Sequence, residues 1–178
     1  ETNEWMQMVE AQKEQQDSFG GAITCLVRGL PAGLGEPVFD KLNALLAYSL
    51  MSLPAAVACE IGGGKSMSYL PGSLIRDPIQ KNNEGKILIE GNCHGGLLGG
   101  ITTGNMLSLL VDFHAPTSIP KPIQSVNLKN LDIEEVRVTG RHDSTPLPRA
   151  VPMVEAMVAI VLVDAMIRAG RISEKFVY

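Results

Sequence analysis

The stretch Arg149-Ala150-Val151-Pro152-Met153-Val154-Glu155-Ala156-Met157-Val158-Ala159-Ile160-Val161-Leu162-Val163-Asp164-Ala165-Met166-Ile167-Arg168 decides the fold. Its length without strong breakers reads as one helix, and Pro152 is tolerable within the first turn. Apolar side chains fall on nearly every side, so the helix needs cover all round. Ala150–Ile167 is long enough to raise a membrane span. Glu155 and Asp164 inside it, with Arg149 and Arg168 at its ends, argue instead for a buried helix of a soluble protein.

Upstream, Glu36–Leu50 reads as a second apolar helix, with Pro37 in its first turn and Phe39, Leu42, Leu45, Leu46 and Leu50 along it. Ala22–Arg28, Ala55–Ile61, Ile87–Glu90, Met106–Phe113, Ile123–Asn127 and Ile133–Val138 read as strands. Met106–Phe113 has few charges and is expected to be covered on both faces. Apolar helices among half-polar strands are most simply arranged as an inner helical layer with sheets outside. The expected fold is therefore α+β, a β-α-β sandwich formed as a single domain over residues 1–178. A polar excursion over about 71–86 is expected to be mobile. Asn3–Gln16 reads as an amphipathic helix, and the opening Glu1-Thr2-Asn3 suggests a start within a longer chain.

The 178 residues are 45% hydrophobic but only 4% aromatic, so the core must be built from aliphatic side chains and methionine. The net charge of -4 and the absence of long basic runs argue against nucleic acid. Cys25, Cys59 and Cys93 are scattered, which suggests free thiols in a reducing cytoplasm. Cys93-His94 lacks further ligands at metal-binding spacing, so no metal site is expected. Gly62-Gly63-Gly64-Lys65-Ser66 is not a P-loop, because Cys59 occupies the position of the required first glycine. It reads as a flexible turn.

Three loops have anion-friendly chemistry: the glycine-rich Gly95–Gly104, Pro116-Thr117-Ser118 and Arg141-His142-Asp143. Backbone N–H groups, hydroxyls and a planar guanidinium all suit phosphate. Each loop has a second reading. The glycines would also serve close packing, and His142 with Asp143 would also serve as a helix cap.

The order of motifs resembles the C-terminal half of the chorismate synthase family. The resemblance rests on Asp17-Ser18-Phe19-Gly20-Gly21, Gly33-Leu34-Gly35-Glu36-Pro37-Val38-Phe39-Asp40-Lys41-Leu42, Met51-Ser52-Leu53-Pro54-Ala55 and Glu60-Ile61-Gly62. It continues through Gly95-Gly96-Leu97-Leu98-Gly99-Gly100-Ile101, Pro116-Thr117-Ser118, Gly140-Arg141-His142-Asp143, Arg149-Ala150-Val151-Pro152 and Glu155-Ala156-Met157. The resemblance implies a cytoplasmic, tetrameric lyase of the shikimate pathway, leading to aromatic amino acids. Such an enzyme converts 5-enolpyruvylshikimate 3-phosphate to chorismate by 1,4-elimination of phosphate. It implies reduced FMN as cofactor and points to NADPH as well, with the source of flavin reduction left open.

By position, the resemblance assigns flavin contacts to Ala55, Gly99, Pro116, Thr117, Ser118 and Arg141, proton removal to Asp143, and a substrate role to Arg149. The family's catalytic histidines lie in its N-terminal half, and His94, His114 and His142 do not match them. The chain alone is therefore expected to be inactive. The competing reading is a non-catalytic module that binds FMN or phosphate, or that self-associates.

Three positions depart from the family pattern. Ala115 stands for a lysine, Val57-Ala58 for Lys-Gly, and Ser144-Thr145 for Pro-Cys. The loss of two cations should weaken phosphate binding unless His114 or Lys121 compensates.

Overall fold

A computed structural model describes residues 2–85 and 87–173. In chain order the elements are α1 (Thr2–Glu14), β1 (Gly21–Val27), α2 (Leu42–Met51), β2 (Ala56–Ile61), β3 (Ile79–Lys81) and β4 (Ile87–Ile89). They continue with β5 (Leu97–Leu98), β6 (Ile101–Thr102), β7 (Leu107–Phe113), β8 (Ile123–Val126), β9 (Ile133–Val136) and α3 (Leu147–Arg168). The main sheet is antiparallel with order β1-β7-β2. Helices α2 and α3 pack side by side, α3 against β1 and α2 against β2.

The core follows the periodicities of these elements. On β7, Leu107, Leu109, Val111 and Phe113 are buried, while the alternate Ser108, Leu110 and Asp112 are only half-buried. Contrary to the sequence expectation, β7 is therefore fully covered on one face only among the described residues. On α2, Leu42, Leu46 and Leu50 are buried. On α3, Ala150, Val154, Val158, Leu162 and Ala165 form one buried stripe. Burying each such leucine is worth roughly 1.5–3 kcal/mol relative to leaving it exposed.

The mixed α+β architecture is present, with its helical layer lying on one sheet. The opposite side of α3 is open among the described residues: Val151 is 42% exposed, Ile160 63% and Val163 46%. Cover on all sides, which its composition asks for, is not supplied by those residues. Among them α3 is also the one helix long and apolar enough to cross a membrane, though its buried stripe packs on the sheet.

Helix α2 starts at Leu42, not at Glu36. Gly35 and Phe39 have positive φ of 109° and 61°, which breaks helical geometry before Leu42. The Leu42 N–H instead donates to Gly100 O at 2.8 Å, fixing the helix start against the β5–β6 turn. A Cβ at Gly35 would lie 2.4 Å from that same Gly100 O, so the two loops meet backbone to backbone.

The Gly62–Ser66 turn is held against neighbouring backbone and leads into a 3-10 helix over Gly64–Tyr69. Beyond it, the polar segment carries a short 3-10 turn, Gly72–Leu74, and strand β3, which pairs with β4. Asp77 ties its base to the core by accepting N–H bonds from Cys93 at 2.9 Å and His94 at 3.2 Å. Burial opposes the charge on Asp77, but these donations outweigh it and hold the carboxyl below its usual range. The contact with Asp77, and then burial, push the Cys93 thiol up.

Candidate functional site

One end of the main sheet gathers most of the residues singled out from the sequence. Gly21 of β1 and Ala56 of β2 both pair with Phe113, the last residue of β7. The segments before β1 and β2 therefore meet the segment after β7. The His114 N–H donates to Ala55 O at 2.9 Å, and Ala55 is held at a φ of 66°. The Ser18 hydroxyl donates to Pro116 O at 2.5 Å. The Phe19 N–H donates to Ser144 O at 2.9 Å, with Ser144 buried. Asp17–Gly20 thus clamps the Pro116–Ser118 loop on one side and the Arg141–Ser144 loop on the other.

The helix-cap reading of His142 and Asp143 does not hold. Helix α3 is capped by Pro146 with no side-chain cap bond, and only Thr145 Oγ1, at 3.4 Å from the Leu147 N–H, approaches that role. Asp143 Oδ2 instead lies 2.9 Å from Arg149 Nη1. That pair is substantially exposed, so it orients the two groups more than it stabilises the fold. Arg141, His142, Asp143 and Arg149 line a cavity of about 350 Å³. Helix α1 closes its other side with Trp5, Val9 and Lys13. His142 Nε2 is buried there without a hydrogen-bond partner.

The α1 wall was missed in the sequence reading. Its signal was there: Trp5, Val9 and Lys13 recur every four residues, the spacing of one helix face.

Gly99 lies elsewhere. It sits in the β5–β6 turn at the start of α2, beside Lys41 and Asn43, whereas Ala55 follows the end of that helix. The ten residues of α2 span about 15 Å at 1.5 Å per residue. A single chain therefore brings together Ala55, Pro116–Ser118, Arg141, Asp143 and Arg149 at one end, without Gly99.

The two proposed substitutes for the family lysine are already engaged. His114 Nδ1 lies 2.7 Å from Ala115 O, and Lys121 pairs with Asp17. Its hydrogen bond with Lys121, then that with the Ser18 N–H, hold the Asp17 carboxyl below its ordinary range. Because the folded value is depressed, this contribution to stability is present above the ordinary aspartate range and fades as pH falls through the folded value. In a carbon-13 NMR titration, Asp17 should titrate below ordinary aspartates, and Lys121→Met should return it upward. An Asp17 curve unmoved by that substitution would remove Lys121 as the cause.

Comparison with known proteins identifies the family and the fold. The family model described as "Chorismate synthase" matches residues 1–167. A chorismate synthase of Methanosarcina barkeri is 46% identical over 170 residues, covering 96% of this chain and 46% of the relative. One from Ignicoccus hospitalis is 48% identical over 157 residues, covering 88% of this chain and 41% of the relative. The chain thus spans less than half the length of these curated relatives. A crystal structure of chorismate synthase superposes with a TM-score of 0.76 at 25% identity, covering 94% of this chain and 43% of that one. With its motifs in family order and its backbone on the family's fold, this chain belongs to the chorismate synthase family.

Proposed function

We propose that this chain carries one part of a chorismate synthase site and acts together with the remaining part of the family's sequence. The reaction is the 1,4-elimination of phosphate from 5-enolpyruvylshikimate 3-phosphate, giving chorismate, with reduced FMN as cofactor. The observation that carries this reading is the convergence of Arg141, Asp143 and Arg149 on one cavity, clamped to Pro116–Ser118 by Asp17–Gly20.

The residues suit an anionic cofactor and an anionic substrate. Lys13, Arg141 and Arg149 face one carboxylate, Asp143, a formal excess of two positive charges. Reduced FMN, when bound, would supply electron density to the substrate as phosphate leaves. Arg141 would hold anionic oxygens through its planar fork of donors. Arg149, on the first turn of α3, would orient both Asp143 and a bound carboxylate or phosphate. Asp143, with one oxygen engaged by Arg149, would accept a proton on the other. Ala55 and Pro116–Ser118 would offer backbone and hydroxyl contacts to the flavin. Gly99, at the far end of α2, would serve a site completed by another chain, in keeping with a homo-oligomer.

The purified 178-residue chain, given reduced FMN and substrate, should form no chorismate. Adding the N-terminal half of the Methanosarcina barkeri relative should restore product. Turnover by the chain alone would overturn the first expectation. Absence of both flavin binding and complementation would favour a non-catalytic module.

A further inference from the structure

We propose that helix α1 is part of the ligand site: Lys13 and His142 complete a pocket for a phosphate monoester that Arg141 and Arg149 begin. The inference deepens the reading above, since it names two further binding residues in the same cavity. Three observations carry it.

The first is charge. The cavity holds a formal excess of two positive charges, which matches a dianionic phosphate monoester. Lys13 and Arg141 have no ion-pair partner among the described residues, whereas Arg149 already has Asp143. The second is the orphaned nitrogen. A buried polar atom without a partner is destabilising, and His142, which lines the cavity, leaves its buried Nε2 in that state. A phosphate oxygen reaching the ring would give it a partner. The third is placement. The neighbouring His114 and Lys121 are engaged elsewhere, with the Ala115 carbonyl and with Asp17. Lys13 reaches the cavity from α1, whose C-terminal end leads directly into the Asp17–Gly20 clamp.

Phosphate of this chemistry could come from the flavin or from the substrate, and titration calorimetry separates the sources. The probes are FMN, riboflavin, shikimate 3-phosphate and inorganic phosphate, each added to the full chain and to Lys13→Gln and His142→Phe. Lys13→Gln should weaken the phosphate-bearing probes roughly tenfold, the loss of one charge-assisted hydrogen bond, and leave riboflavin unchanged. His142→Phe should weaken the same probes severalfold while the melting temperature holds or rises, because an unsatisfied buried nitrogen has been removed.

Preference for FMN over riboflavin, lost in the variants, assigns the pocket to the flavin phosphate. Binding of shikimate 3-phosphate without FMN upholds the pocket, assigns it to the substrate and removes the flavin reading. Equal binding of FMN and riboflavin, with neither of the other two probes bound, overturns the pocket and leaves the flavin reading standing. Variants that bind every phosphate probe as the parent does overturn the roles of Lys13 and His142.

Discussion

Gly20→Ala should be among the most destabilising single substitutions in the chain, lowering stability by about 3 kcal/mol or more. A Cβ at Gly20 would lie 2.1 Å from Phe113 O and 2.9 Å from Ala115 N. Both atoms are backbone, and neither can step aside as a side-chain tip would. Phe113 closes the central strand β7, which is paired on one side with β1 and on the other with β2. Overpacking against movable side chains typically costs 1–3 kcal/mol. Here β1 must separate from β7, so the cost lies at or beyond the top of that range. Against a total stability of about 5–15 kcal/mol, this is a large fraction. The damage should also reach the site, because Ser18 and Phe19, which clamp its two loops, directly precede Gly20. Urea unfolding should show a lower midpoint with unchanged slope. Gly72→Ala, where an added Cβ meets nothing within 4 Å, is the control and should stay near the parent. A Gly20→Ala midpoint equal to that control would refute the close approach.

Much of this was legible in the sequence, and the reasons are local. The stretch Arg149–Arg168 was readable as a helix because apolarity sustained over so many residues has few other outcomes. Its composition also announced a need for cover that the described residues do not supply. The early start assigned to α2 failed because Pro37 is a good first-turn residue in isolation. The positive φ of Phe39 and the bond from Leu42 to Gly100 are tertiary facts that no local signal carries.

For β7, low charge suggests cover on both faces, yet Ser108 and Asp112 alternate with the buried positions and mark a half-covered face. The family motifs supplied the residues of the Arg141–Asp143 cluster but not their geometry. Which of them share a cavity, and that Gly99 does not, depends on strand register. The α1 wall was overlooked because an amphipathic helix of weak apolarity carries no motif. The orphaned His142 nitrogen depends on what every neighbour fails to offer.

Asp143→Asn should abolish most of the turnover of the complemented assembly while leaving the fold almost untouched. The substitution keeps the side chain's shape and one oxygen for Arg149. The ion pair it weakens is exposed, with side chains 71% and 48% accessible, so the stability change should stay within about 1 kcal/mol. What it removes is a carboxylate able to take a proton, and loss of a positioned general base costs typically 10²–10⁴ in rate. Binding should move in the opposite sense. Removing the one carboxylate of the cavity raises its excess positive charge, so FMN and phosphate should bind as tightly as before or more tightly. That split separates a proton-transfer role from a scaffolding role. If Asp143 served only to place Arg149, the amide would weaken anion binding and kcat would follow it. The decisive comparison is kcat against Kd for the same variant: kcat reduced at least a hundredfold with Kd not increased supports proton transfer. A variant retaining more than a tenth of the parent kcat would show that the proton leaves by another group.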